Sequence, residues 1–300
     1  MKKPAQIDFA STEHIVLDTF CELGEGVLWD ELRHRLLWTD ILKKKLCYKS
    51  WESPDWVSIE VSERLCSMAL VEGQDEMLLC AFESGLAFMD LATQKIEWIE
   101  KIDQEKGVRL NDGRVDRQGR FWVGSMGEGE RTSEKLGKLY CLDRGHLKVH
   151  MDGIGIANGL SWSADGRRMY FADSFIHMIE CFEFDPKLGA LGDAKSLVKT
   201  DDQVFPDGSC VDREGFLWNA QWGSARVVRY DHEGIENYSV KFPTSQVSCP
   251  CFVGPDLSFL AVTSAREGMK QAQLDQEPHA GNLFLVKTPF QGSISDRYKV

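Results

Sequence analysis

The sequence predicts an all-β protein, and more narrowly a six-bladed β-propeller formed as one domain over residues 1–300. Three observations predict it. Long amphipathic helix patterns are scarce. Short runs rich in aromatic and branched residues alternate with Gly, Asp, Asn and Pro. A turn of the form D-x-x-G, or a polar variant of it, recurs six times just before an apolar strand. A β-sandwich would also give many short strands, but it has no reason to repeat one turn-plus-strand unit at near-constant spacing.

In chain order the units are DELRHRLLWTD (30–40), GQDEMLLCA (73–81), DRQGRFWVG (116–124), ADGRRMYFAD (164–173), DREGFLWNA (212–220) and PDLSFLAV (255–262). Aligned on the third apolar position, they give Trp38, Leu79, Trp122, Phe171, Trp218 and Leu260, at intervals of 41, 43, 49, 47 and 42 residues. Each interval accommodates one blade of about 40–50 residues. Four units run on into a second alternating strand that ends at Asp90, Asp143, Asp185 or Asp231. HIVLDTF (14–20) precedes the first unit and NLFLVKT (282–288) follows the last. These two are expected to pair in one blade, the N-terminal strand closing the ring, because an open ring would expose unpaired strand edges.

The net charge of −12 and pI near 5.1 argue against nucleic acid or anionic lipid as partners. A hydrophobic share of 43%, with 9 Trp and 16 Phe, supplies a core and excludes a disordered chain. No run approaches the ~18 apolar residues of a membrane span. MKKPAQIDFASTEH lacks the apolar stretch of a secretory signal. Nine scattered cysteines read as free thiols of a reducing compartment, so a cytoplasmic location is expected.

The first strand of each propeller blade lines the central channel, so equivalent positions in different repeats converge there. Counting back 11 to 13 residues from the alignment positions reaches Glu25, Asn111, Asn158 and Asp207, each within two residues of a glycine in GEG, NDG, NGL and PDG. Blade two offers Cys66–Met68 at this phase and blade six Val247–Cys249. Two carboxylates and two carboxamides form an oxygen-only set of the kind hard divalent cations take, which points to a central metal-binding channel. Ordinary Asx-turns are the alternative for each motif taken singly.

The strings GEGVLW (24–29), RLNDGRVDRQGRFWVGSM (109–126), NGLSWSADGRRMYFADS (158–174) and PDGSCVDREGFLWNAQW (206–222) resemble the SMP-30/gluconolactonase/regucalcin family. The resemblance runs from about Leu23 to VGPDLSFLAVTSA (253–265). It implies a six-bladed propeller holding one divalent cation, whether Ca, Zn, Mg or Mn, with sugar-lactone hydrolysis in its sugar members. By residue, it implies Glu25, Asn158 and Asp207 as metal ligands, and Arg109 and Asn111 as contacts to substrate oxygens. The family's acidic substrate residue falls by strict count at Gly129; Glu128, and Glu130 on the other side, are the adjacent carboxylates, and Glu128 is carried forward as substrate-binding.

The expected reaction is metal-dependent opening of an aldono-lactone to its aldonate. The cation would polarise the carbonyl or acidify a water, with Asp207 as general base. The expected partner is a small sugar lactone, and the expected state a monomer or weak homo-oligomer. Two rival classes share these ligands: a calcium-binding regulatory propeller, and a phosphotriesterase or arylesterase. Other chemistries lack their residues. The seven dispersed histidines make no zinc motif; His146 and His150 are expected to be solvated between blades. Cys249-Pro-Cys251 reads as packing, GSC (208–210) lacks the serine-hydrolase frame, and Lys43–Lys45 reads as a solvated loop.

Overall fold

A computed structural model describes residues 4–102 and 105–300. The repeats build six β-sheets, all antiparallel but for one added edge strand. In the first, Gly24–Asp30, Arg35–Asp40, Lys45–Ser50 and Val57–Glu60 lie side by side in that order. The first strands of the other five sheets are Leu65–Val71, Val108–Val115, Ala157–Trp162, Phe205–Val211 and Val247–Val253. Each first strand touches those of the sheets before and after it, and the sixth touches the first, so the sheets close a ring of six blades.

The alignment positions behave alike. Trp38, Leu79, Trp122, Phe171, Trp218 and Leu260 all sit on the second strand of their blade and are at most 1% exposed. Burying each such side chain contributes about 1.5–3 kcal/mol, which is why the apolar unit repeats. The preceding Asp is also structural. Asp212 accepts from the amides of Glu214 and Phe216, from Trp218 Nε1 at 2.9 Å and from Arg229 Nε at 2.7 Å. Asp116 does the same for Gln118, Arg120 and Trp122. One turn carboxylate thus ties the turn to the buried indole two strand positions on.

His14–Leu17 pairs antiparallel with Leu283–Lys287, matching His14 to Val286, and so becomes the outer strand of blade six. A strand absent from the sequence reading, Ala5–Asp8, adds in parallel to the outer edge of blade five, with Ala5 opposite Tyr238. The C-terminal tail crosses the ring on the side away from the site described below. Tyr298, 1% exposed, exchanges backbone hydrogen bonds with Leu70 and Glu72 and accepts from the Gly145 amide at its hydroxyl. His150 departs from expectation. It lies on the outer strand His146–Ile154 of blade three with its ring 4.6 Å from that of Trp122, half-buried rather than solvated. Among the described residues no helix is long and apolar enough to cross a membrane.

Candidate active site in the central channel

All six inner strands slip register against their partners at one level of the channel. The shifts fall at Glu25/Leu28, Leu65/Ser67, Leu110/Gly113, Asn158/Ser161, Pro206/Ser209 and Val247/Pro250. Such a bulge re-aims side chains that strict alternation would send elsewhere. Four of the six bulges carry the sequence-selected residues. This explains the adjoining glycines: Gly26 and Gly159 hold φ of +58° and +66°, which a side chain strains to adopt. At Gly208 the need is space, since a Cβ there would come 2.9 Å from Cys249 Cα.

Asn111 and Asn158 are joined directly. Asn111 Nδ2 donates to Asn158 Oδ1 at 2.8 Å and to the Ala157 carbonyl at 2.9 Å. Asn158 Nδ2 donates to Ser174 Oγ at 2.9 Å, and Ser174 Oγ donates onward to the Pro206 carbonyl at 2.6 Å, next to Asp207. With its amide nitrogen committed to Ser174, Asn158 keeps a lone pair of Oδ1 for a ligand. Asp207 is held through its backbone, whose carbonyl accepts from Asn219 Nδ2 at 2.7 Å.

Glu25 and Asp207 are electrostatically coupled neighbours. Burial, then Asp112, raises the Glu25 carboxyl to about 8, while the Gly26 amide, Arg109 and Arg114 pull it down. Burial, then the charges of Glu25 and Asp112, raises Asp207 well above the usual range. Among the described residues no side chain donates a hydrogen bond to either carboxylate; Glu25 accepts only from the Gly26 amide, at 3.1 Å. A half-buried and a buried carboxylate that repel one another and keep free lone pairs fit a cation held by oxygen. Among the described residues no three His, Cys, Asp or Glu side chains converge closely enough to bind a metal by themselves. A fitting set is therefore two carboxylates and the Asn158 carboxamide.

Asn111 differs from its place in the spacing argument. Its Oδ1 accepts from Arg109 Nη1 at 2.6 Å, so this oxygen is engaged by the guanidinium. The neighbouring Asp112 was missed: it takes the Leu160 amide at 3.1 Å and its charge acts on both Glu25 and Asp207. The bulge brings two successive residues, Asn111 and Asp112, to the neighbouring inner strand, where a count by twos admits one.

Arg109 Nε also donates to Glu128 Oε1 at 3.3 Å, and Arg64 clasps the same carboxylate through Nη1 at 2.6 Å and Nη2 at 3.0 Å. Burial works to raise Glu128, but Arg64 and Arg109 together hold it below the ordinary carboxylate value, so it stays ionised. Glu128 thus joins Arg109, while Gly129 and Glu130 begin the 3-10 turn Gly129–Glu134. Glu267 was also missed. Its backbone carbonyl accepts from Gln246 Nε2 at 3.1 Å, and its carboxyl, raised first by burial, feels Arg109, Glu128, Glu22 and Arg64 around the channel mouth.

A six-bladed ring with oxygen side chains gathered at one level of its channel defines a propeller with a central polar site. Residues 23–266 match the family model described as the SMP-30/Gluconolactonase/LRE-like region, and the chain belongs to that family. L-arabinolactonase of Azospirillum brasilense is 36% identical over 296 residues, covering 98% of this chain and 97% of that protein. Regucalcin of Gallus gallus is 34% identical over 88% of this chain and 90% of its own. The crystal structure of the calcium-binding protein regucalcin from Agrobacterium tumefaciens superposes with a TM-score of 0.93 at 29% identity, covering 99% of each chain.

Proposed function

We propose that this chain hydrolyses a sugar lactone, opening an aldono-lactone to its aldonic acid around a divalent cation held by Glu25, Asn158 and Asp207. The observation that carries the reading is the oriented carboxamide of Asn158 in the bulge layer shared by the half-buried Glu25 and the buried Asp207, whose charges repel. The similarity to L-arabinolactonase along nearly the whole chain supports the substrate class and favours a pentono- or hexono-1,4-lactone. A bound Ca, Zn, Mg or Mn ion would supply Lewis-acid polarisation and offset negative charge developing on the lactone oxygen.

The chain's own groups divide the remaining work. Asp207 accepts the proton of the attacking water at a carboxylate oxygen. Arg109, linked to Asn111 at 2.6 Å, presents guanidinium donors in one fixed orientation to ring and hydroxyl oxygens. Asn111, its two amide hydrogens taken by Asn158 and Ala157, offers the free lone pair of Oδ1 to a sugar hydroxyl. Glu128, ionised and braced between Arg64 and Arg109, accepts from sugar hydroxyls. Nine free cysteines, eight of them buried, support a reducing, cytoplasmic setting.

A panel of aldonolactones followed with a pH indicator, with and without EDTA, tests the proposal. Acid release on at least one lactone is expected, lost with chelator and restored by a single metal. Inactivity on every lactone with full metal loading would overturn it. The similarity to regucalcin supports a second reading, a calcium-binding propeller, which that outcome would favour.

The hydrogen-bond chain makes its own prediction. Ser174→Ala removes the acceptor that turns Asn158, and metal affinity is expected to fall about 10–100-fold, the usual penalty for losing a ligand-orienting partner. Calorimetric titration against wild type checks it, and an unchanged affinity would separate Ser174 from ligand orientation.

A further inference from the structure

Blade two places no carboxylate or carboxamide at the bulge level, yet its mouth-side end carries Arg64, one residue before the inner strand Leu65–Val71. Every nitrogen of this guanidinium is engaged. Nη1 and Nη2 grip the two oxygens of Glu128 at 2.6 and 3.0 Å, and Nε donates to Glu83 Oε2 at 2.6 Å. Glu83 is itself fixed. Its carboxylate takes the Arg64 amide at 3.3 Å, its amide donates to the Arg64 carbonyl at 2.8 Å, and its carbonyl accepts the Leu110 amide at 3.2 Å, beside Arg109. Arg64 is thus held between blade two and the strand that bears Arg109.

Arg109 commits Nη1 to Asn111 Oδ1 and the Leu110 carbonyl, and only its Nε, at 3.3 Å, reaches Glu128. Its Nη2 has no hydrogen-bond partner among the described residues. Nε and Nη2 lie along one edge of a guanidinium, an edge that a carboxylate takes with two parallel hydrogen bonds. A Glu128 released by Arg64 would close on that edge and occupy the open donor.

We propose that Arg64 is a positioning residue for the substrate: by holding Glu128 off Arg109, it keeps an acceptor and a donor open together for neighbouring hydroxyls of the lactone. This rests on the lactonase reading above. A carboxylate offers about four acceptor sites. Here Arg64 fills one on each oxygen of Glu128 and Arg109 a second on Oε1, so one at Oε2 stays open, as does Nη2 of Arg109. Two adjacent hydroxyls, one donating and its neighbour accepting, match this pair. The Arg64–Glu128 contact is partly exposed, 21% at one side chain and 33% at the other, so it adds little to stability and acts through orientation.

The test is steady-state kinetics at saturating metal, on the aldono-1,4-lactone that wild type turns over fastest, for wild type, Arg64→Met, Glu128→Gln and the double variant. Arg64→Met is expected to raise KM about tenfold or more, the loss of one charge-assisted hydrogen bond. Its kcat should stay within about threefold, because the hydroxyls concerned do not react. Glu128→Gln is expected to raise KM similarly. The two effects should not add. Once the carboxylate is gone Arg64 has nothing to hold off, so the double variant stays within about twofold of Glu128→Gln. Calorimetric metal titration of Arg64→Met should match wild type, since Arg64 bonds to none of Glu25, Asn158 and Asp207. Circular dichroism establishes which variants fold, and Arg64→Gln serves if Arg64→Met does not. A KM within about twofold of wild type in either single variant overturns the inference. So do additive effects in the double variant, which a merely structural Arg64 would give, or a metal affinity that falls as far as KM rises. Wild type inactive on every lactone with full metal loading would sink the lactonase reading itself, and this inference with it.

Discussion

Asp207→Ala should reduce lactone turnover by about a thousandfold or more while leaving the propeller folded. Two functions are lost together. On the proposed mechanism the variant lacks one of two carboxylate ligands, and it lacks the base that receives the water proton, an effect of itself about 10²–10⁴-fold. Folding should survive, because Asp207 is fixed by its backbone through Asn219 and its side chain receives no side-chain donor. Removing it also relieves repulsion with Glu25, so stability in the absence of metal should hold or rise. Steady-state assay with saturating metal, alongside thermal unfolding, checks both statements. Near-native turnover in this variant would remove Asp207 from the mechanism.

The largest expected effect on stability lies elsewhere, at Asp212. Arg229 is 2% exposed at its side chain and meets Asp212 Oδ2 at 2.7 Å. Asp212→Ala strips the partner from a buried guanidinium and leaves Trp218 Nε1 and two turn amides without their acceptor. A buried pair broken on one side costs about 3–5 kcal/mol. Arg229 keeps Glu214 at 2.7 Å and lies over the Phe216 and Phe290 rings, which places the loss toward the lower end. By contrast Glu22→Ala, which removes an exposed pair with Lys43 at 3.8 Å, should cost well under about 1 kcal/mol. Urea unfolding of the two variants side by side measures the difference, and equal midpoints would contradict the role given to the turn carboxylate.

Much of this molecule was legible in the chain because a propeller repeats. Trp38, Trp122 and Trp218 recur since each blade must bury the same position of its second strand, and burial leaves an apolar signature whatever the neighbouring sequence. Phase alone, once the ring was assumed, selected Glu25, Asn158 and Asp207, each of which stands at the register shift of its inner strand. Asp112 escaped for a physical reason. Counting by alternation presumes an unbroken strand, and the bulge between Leu110 and Gly113 breaks it just where Asp112 stands. Glu267 escaped because its loop belongs to no repeat, and only the folded ring carries it to the mouth. The strand Ala5–Asp8 is short, with only Ala5 and Ile7 apolar, so it lacked the hydrophobic pattern of a blade; a neighbouring edge selects it.

The placement of the first two strands has a bearing on how the molecule is made. Ala5–Asp8 and His14–Leu17 are translated ahead of the blades they join, whose pairing strands, near Tyr238 and Val286, come far later in the chain. Synthesis proceeds from the N-terminus, and contacts of such long sequence separation form slowly. Both segments must therefore wait, without these partners, until blades five and six have been translated.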